Sequence, residues 1–167
     1  IAESLDDKSS LCLANLNLAN AYIRLGKNDL SLQRSLKSYD LAKEIGNLAL
    51  QAHSLSYIAS SEYYNKQYED ALQKWNQSIK IYEELGNKIR VVYALNGISH
   101  YYNNLHRESD ALEASLRALN ISKELKNDPL ISQCYDFLAM THSALGNKSE
   151  ELKNLKQSKK ISENGNN

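Results

Sequence analysis

The strongest constraint on the fold of this chain is an internal repeat with a period of forty residues. The segment IYEELGNK begins at Ile81, and related segments, LAKEIGNL and ISKELKND, begin forty residues before and after it. Aligned on this period, the chain needs no insertion and shows apolar columns such as Ile1, Leu41, Ile81, Ile121 and Ile161. A period of this length predicts stacked copies of one supersecondary unit.

Within each copy the apolar residues have helical spacing. Leu18, Ala21, Tyr22 and Leu25 stand at i, i+3, i+4 and i+7 and would share one helix face. Breaker residues at two places in every copy divide it into two helices joined by short turns. The predicted first helices cover residues 8–25, 48–65, 88–105 and 128–145, and the predicted second helices cover residues 28–45, 68–85, 108–125 and 148–162.

The turns between copies have their own pattern. Gly46 and Gly86 stand just past a helix end, where glycine accepts a left-handed backbone without steric cost. The third copy has Lys126 in that column, so the sequence predicts that Asn127 takes the left-handed conformation instead. Asp128 is then predicted to cap the following helix.

The composition agrees with a helical chain and excludes some partners. One proline and six glycines leave little material for the turns of an all-β fold. Twenty basic and twenty acidic residues give no net charge that would attract nucleic acid or an anionic membrane. The sequence contains no recognisable secretory signal or membrane-spanning run, so we expect a cytoplasmic location without membrane insertion.

The period also predicts how the chain is divided. Residues 1–167 are expected to form a single array with repeats at 8–47, 48–87, 88–127 and 128–163. Residues 1–6 align with the end of a second helix and are interpreted as the remnant of a preceding repeat, and residues 164–167 as a frayed tail. The last helix is more polar than the others, as a terminal cap requires.

Small residues recur at fixed columns where two helix backbones must approach closely. The two clearest columns are Ala19, Ala59, Ser99 and Ala139, and Ser38, Ser78, Ala118 and Ser158. Together with Leu55, Ile58, Ala71 and Trp75 of the second copy, this pattern resembles the tetratricopeptide repeat. The forty-residue variety occurs in signalling adaptors and in sensor regions of bacterial regulators. HEAT and armadillo repeats share the period and remain the alternative, although their small-residue columns match poorly.

This resemblance implies a fold and a binding surface. The fold is an all-α, right-handed α-solenoid of about four antiparallel helix pairs. In the family the first helices line a concave groove that takes a protein or peptide partner. Carried onto this chain, the groove is lined by polar and aromatic residues, namely Asn20, Arg24, His53, Ser60, Tyr63, Tyr64, Tyr93, Asn96, His100, Asn103, Asn104, Gln133, Asp136 and Met140. The competing interpretation is that the tyrosines fill the spaces between repeats.

Catalytic and metal-binding patterns are absent from the sequence. It contains no glycine-rich phosphate loop, no His-Glu-x-x-His and no Cys-x-x-Cys, and its four histidines lack ligand spacing. Cys12 and Cys134 stand in columns of small core residues. Glu62 occupies a column that holds tyrosine in two other copies, and it is interpreted as a charge that reaches solvent or a polar contact.

The sequence therefore predicts a non-enzymatic module with no cofactor and no metal, which binds a protein or peptide as the regulatory segment of a larger signalling protein. The alternative is a structural spacer or dimerisation segment that forms a homodimer through its outer edge or an exposed terminal helix. No nucleic-acid partner is expected.

Overall fold

The computed structural model describes the backbone of residues 5–164 and the side chains of residues 7–163. This part of the chain forms eight α-helices and no strand: α1 (Leu5–Arg24), α2 (Asn28–Glu44), α3 (Leu48–Tyr64), α4 (Tyr68–Glu84), α5 (Lys88–Asn104), α6 (Glu108–Glu124), α7 (Asp128–Ala144) and α8 (Lys148–Asn164). They coincide with the predicted helices to within a few residues at their ends, and the predicted fold class is confirmed.

The two ends of the chain differ slightly from the prediction. Leu5 and Asp6 belong to α1, although the sequence assigned them to the remnant of a preceding repeat. Residues 1–4 of that remnant and residues 165–167 of the predicted tail lie outside the described residues. Within the described range, no helix combines the length and the apolar character needed to span a membrane.

The chain forms two compact units, which we call the N-terminal unit (residues 1–86, with α1–α4) and the C-terminal unit (residues 87–167, with α5–α8). Each unit contains two helical hairpins. In the N-terminal unit α3 packs against α2 and also contacts α1, and in the C-terminal unit α7 packs against α6 and contacts α5. Each unit is thus a short stack in which the second hairpin is seated on the first.

A left-handed residue follows every helix from α1 to α7. These residues stand twenty positions apart and are Gly26, Gly46, Lys66, Gly86, His106, Lys126 and Gly146, with φ between 52° and 71°. After α2, the N–H of Gly46 donates to the Lys43 carbonyl at 3.1 Å and the N–H of Asn47 donates to the Ala42 carbonyl at 2.9 Å. This pair of bonds is a Schellman motif, which satisfies carbonyls at the helix end.

The prediction for the third inter-repeat turn was wrong. Lys126 itself adopts the left-handed conformation, with φ of 52°, while Asn127 has φ of −103°. Asn127, not Asp128, caps α7, because its side chain accepts a hydrogen bond from the N–H of Leu130 at 3.1 Å. The helix lengths fix which position must be left-handed, and the asparagine is needed one residue later as the cap.

Serine hydroxyls hold the two helices of a pair together at the predicted small-residue column. Ser38 Oγ of α2 donates to the Cys12 carbonyl of α1 at 3.1 Å. One repeat later, Ser78 Oγ of α4 donates to the Ala52 carbonyl of α3 at 2.8 Å. Both serines are fully buried. The column therefore allows close approach and also supplies a hydrogen bond between the helices.

Candidate binding surface

The first helices of each unit lie side by side. α1 contacts α3, and α5 contacts α7. Among the described residues, the two second helices of a unit do not contact each other to a comparable extent. Ala19 and Ala59 of α1 and α3 are completely buried, as expected where helix backbones come close. The outward faces of the first helices therefore form one continuous two-helix surface in each unit, which we call its first-helix surface.

On the N-terminal unit the predicted residues of this surface are accessible. Asn20 and Arg24 of α1 and Tyr64 of α3 are exposed, while His53 and Ser60 of α3 are half-buried. Asn20 and Ser60 occupy equivalent positions of successive repeats, as do Arg24 and Tyr64. The surface thus offers an amide, a guanidinium, a hydroxyl and aromatic rings within two neighbouring helices.

Ring contacts hold several of these aromatic side chains in place. The Tyr63 ring lies 5.5 Å from that of Tyr64 in an edge-on arrangement and 5.4 Å from that of Tyr68. The rings of His53 and Tyr57 are 5.4 Å apart. Tyr64 nevertheless keeps 47% of its surface exposed. An exposed ring whose neighbours already restrict it loses little conformational entropy when it contacts a partner.

The first-helix surface of the C-terminal unit presents a similar set of aromatic, apolar and polar side chains. Tyr93 and Met140 are 48% and 45% exposed, and Gln133 and Asp136 of α7 are exposed as well. His100 is half-buried and its Nε2 lies 3.2 Å from Nδ2 of Asn104, which is exposed. A partner that contacts this surface would bury these half-exposed large side chains together with their polar neighbours.

Two predicted binding residues hold the C-terminal unit together. Asn96 is only 2% exposed, and its Nδ2 lies 3.6 Å from the Cys134 sulfur of α7. Asn103 Nδ2 donates to Thr141 Oγ1, also of α7, at 3.0 Å. These two amides lie between α5 and α7 and position α5 against its neighbour. Both amides are therefore engaged within the unit and are not part of the first-helix surface.

Glu62 lies away from the first-helix surface. It is half-buried, and burial raises the pKa of its carboxyl, while Lys74 of α4 lowers that pKa and Asp70 raises it. One carboxylate oxygen is buried without a hydrogen-bond partner. The side chain therefore faces α4 and does not belong to the groups that a partner would contact on α1 and α3.

The structure gives no basis for a metal or nucleophile site among the described residues. No three side chains of histidine, cysteine, aspartate or glutamate lie close enough to hold a metal ion there. Cys12 and Cys134 are both buried and free. Burial raises the pKa of each thiol, which disfavours the reactive thiolate.

Sequence reasoning missed two features of the structure. The first is the network of buried serine hydroxyls, including the Ser61–Ser31 bond of 2.8 Å, because serine in a small-residue column is indistinguishable from alanine by spacing alone. The second feature is the exposure of two leucines of α1. Leu18 and Leu25, predicted on an apolar packing face, are 42% and 67% exposed.

Comparisons with known proteins agree with the observed fold. The tetratricopeptide repeat family matches residues 10–88, and no curated protein sequence matches significantly. Among solved structures, BtubC from P. vanneervenii superposes with a TM-score of 0.82 at 19% identity, over 99% of this chain and 68% of that one.

Two further solved structures share the fold at low identity. Aspartyl phosphate phosphatase F from Bacillus subtilis has a TM-score of 0.85 at 18% identity, over 96% of this chain and 42% of that one. The apo form of RapI has a TM-score of 0.79 at 15% identity, over 99% of this chain and 59% of that one. This chain thus spans about half of those two proteins. The match identifies the tetratricopeptide repeat in residues 10–88, and the helix pairs and small-residue columns continue with the same period in α5–α8.

Proposed function

We propose that the chain is a non-enzymatic binding module whose first-helix surfaces take a protein or peptide segment. The observation that carries this proposal is the set of half-exposed apolar side chains on those surfaces, Tyr64, Tyr93 and Met140. They lie among amide and hydroxyl groups that can bond a peptide backbone. A few such anchors supply most of the binding energy in known interfaces.

Each first-helix surface also presents a charged group of its own. The N-terminal unit presents the Arg24 guanidinium, and the C-terminal unit presents the Asp136 carboxylate. A segment with an acidic group near Arg24 would gain a charge-assisted hydrogen bond there. We further propose that the chain serves as the regulatory segment of a larger signalling protein.

A selected peptide provides the test. Random 12-residue peptides would be displayed on phage and selected on the intact chain, and the tightest binder would be measured by fluorescence anisotropy. Replacing Tyr64 and Asn104 together by alanine is expected to weaken binding by about tenfold or more, since truncating an interface anchor commonly costs about 2 kcal/mol. Both residues are exposed, so circular dichroism should show the same helix content.

The matched control is a pair of exposed leucines on second helices, Leu36 of α2 and Leu116 of α6, which are 45% and 44% exposed. Replacing both by alanine should leave the peptide affinity unchanged. If the leucine variant loses affinity while the variant at Tyr64 and Asn104 keeps it, the peptide binds the second helices and the proposal is wrong.

A dimerisation segment is the second candidate function. The observation in its favour is the exposure of Leu18 and Leu25 on one face of α1. Sedimentation velocity over a hundredfold range of concentration distinguishes the two candidates. A concentration-dependent dimer would favour the dimerisation segment, whereas a monomer that binds the selected peptide would favour the binding module.

A further inference from the structure

Gly97 leaves a gap in the row of side chains that α5 presents on the first-helix surface of the C-terminal unit. The residues on this face of α5 follow one another at helical spacing and are Tyr93, Gly97, His100 and Asn104. Tyr93 and Asn104 are exposed, whereas Gly97 and His100 are half-buried. We call the space over Gly97, between the side chains of Tyr93 and His100, the Gly97 notch.

The backbone of α5 does not require a glycine at this position. Gly97 lies inside the helix, which runs from Lys88 to Asn104, and it is not one of the glycines with a positive φ. A helix is less stable with glycine in its interior than with alanine. The other first helices place a side chain in this column, namely Asn17, Tyr57 and Phe137. α5 therefore gives up helix stability at a position where the other first helices carry a side chain.

The equivalent position of α3 shows which group fits such a notch. Tyr57 stands forty residues before Gly97, and His53 stands forty residues before Tyr93. The rings of His53 and Tyr57 lie 5.4 Å apart, with their planes tilted by 41°. In α5 the second of these two rings is missing, and Tyr93 keeps 48% of its surface exposed. A ring supplied by another molecule would restore the pair.

The neighbouring first helix, α7, adds apolar groups at the same level of the unit. α7 contacts α5, and Phe137 occupies the column of Gly97 on α7. Met140, three residues later, is 45% exposed. An aromatic ring and a thioether both pack favourably against a further ring. Both first helices of the unit therefore offer contacts that suit an aromatic side chain.

The side chains around the notch lack the charges that a charged partner group would need. The face columns of α5 and α7 contain no Asp, Glu, Lys or Arg, although these types make up 24% of the chain, and their members are Tyr93, Gly97, His100, Asn104, Gln133, Phe137, Met140 and Ala144. Asp136 stands in the adjacent column, that of the buried Asn96. A charged side chain entering the notch would lose hydration without gaining an opposite charge. These columns therefore favour an uncharged occupant.

We propose that the Gly97 notch takes one uncharged aromatic side chain, that of phenylalanine, tyrosine or tryptophan, from the bound protein or peptide segment. The ring packs on Tyr93 as Tyr57 packs on His53 in α3, with Met140 of α7 beside it. This inference rests on the proposed function and adds the chemical identity of one anchor residue of the partner.

A polar pair along α5 suits the backbone of the same segment. Asn104 is exposed two turns beyond Gly97, and its Nδ2 lies 3.2 Å from Nε2 of His100. An amide side chain has donors and an acceptor, so it can bond the N–H and C=O groups of a peptide. The notch and this amide together would fix one side chain and the adjoining backbone.

Gly97→Tyr tests the proposal, because it supplies from the protein itself the ring that the partner is proposed to bring. The probe is the peptide selected on the intact chain as described above. We expect its affinity, measured by fluorescence anisotropy, to fall by about tenfold or more, as for the loss of an interface anchor. The matched control is Asn120→Tyr, which adds a ring at an exposed position of α6 and should keep the original affinity.

The peptide provides the second half of this test. Its aromatic residues are replaced by alanine one at a time. One replacement should weaken binding to the original protein by about tenfold or more and binding to Gly97→Tyr by less than about threefold, because the notch of the variant is already filled.

Gly97→Ala separates a role in binding from a role in packing. If the glycine served only the packing of α5, adding a methyl group would lower the midpoint of urea denaturation. We expect the midpoint to rise, since alanine is the better helix former, while the peptide affinity falls by about threefold or more because the methyl group narrows the notch.

Four results would overturn the inference. A lower urea midpoint in Gly97→Ala would assign the glycine to packing, and a selected peptide without any aromatic residue would contradict the proposed occupant. If Gly97→Tyr keeps the affinity while the variant at Tyr64 and Asn104 loses it, the peptide binds the first-helix surface without the notch and the proposed function stands. If both variants keep the affinity, the proposed function is wrong and the inference with it.

Discussion

At the scale of single residues, three of the seven left-handed positions do not hold glycine, the residue that best tolerates this backbone conformation. Four of these positions hold glycine, whereas Lys66, His106 and Lys126 adopt φ of 66°, 55° and 52° with a side chain. A non-glycine residue in this conformation costs about 1–2 kcal/mol. Nothing lies within 4 Å of a Cβ placed on Gly46, so the cost at such a turn arises in the backbone alone.

Lys126→Gly should therefore stabilise the protein. Removing the strain outweighs the additional entropy that glycine gives the unfolded chain, so we expect the free energy of unfolding to rise by about 0.5–1 kcal/mol. Urea denaturation followed by circular dichroism measures the change. The reciprocal variant, Gly46→Lys, should lower the unfolding free energy by a similar amount. A loss of stability in Lys126→Gly would show that the lysine side chain contributes more than its backbone costs.

At the scale of helices, the turns between pairs all carry a side-chain cap, whereas within pairs only Asn147 before α8 accepts such a bond, from the N–H of Glu150 at 3.4 Å. Asn47, Asn87 and Asn127 cap α3, α5 and α7 with side-chain bonds of 3.0–3.1 Å, whereas Lys27, Gln67 and Arg107 make no side-chain cap bond to α2, α4 and α6. The backbone of Gln67, with φ of −91° and ψ of 65°, resembles that of Asn87, with φ of −83° and ψ of 72°.

Gln67→Asn should add the missing cap. The shorter amide can accept a hydrogen bond from the first turn of α4, and a new cap is worth about 0.5–1 kcal/mol of unfolding free energy. The control is Asn87→Ala, which removes the existing bond to the N–H of Arg90 and should cost about 1 kcal/mol. Both values come from urea denaturation. Equal stability of Gln67→Asn and the original protein would contradict the prediction.

The helices themselves could be predicted from the sequence because the information is local. Apolar spacing sets the helical faces, and the breaker columns set the ends. Whether a helix face is covered by another helix depends on tertiary packing, so the local sequence does not determine it. Leu18 and Ile58 occupy the same column with similar side chains, yet the first is 42% exposed and the second 2%. The same limit applies to the binding surface, since Asn96 and Asn104 look alike in sequence and only the packing of α5 against α7 separates the buried amide from the exposed one.

At the scale of the whole molecule, stability is expected to be a sum of hairpins and of the contacts between them. A single hairpin leaves one apolar face uncovered, whereas two stacked hairpins enclose a core. In the N-terminal unit that core includes Leu55, Ile58 and Trp75, each less than 8% exposed. The hydroxyl bonds Ser54–Ser38 and Ser78–Ala52 connect three of its four helices.

Residues 1–86, produced alone, should therefore fold. We expect a helical circular dichroism spectrum and a single cooperative urea transition, with a midpoint below that of the full chain because the fragment is smaller. The matched control is residues 1–47, one hairpin with its turn, which should be largely unfolded because it cannot bury its apolar face alone. The prediction fails if residues 1–86 show no cooperative transition, or if residues 1–47 prove as stable as the longer fragment.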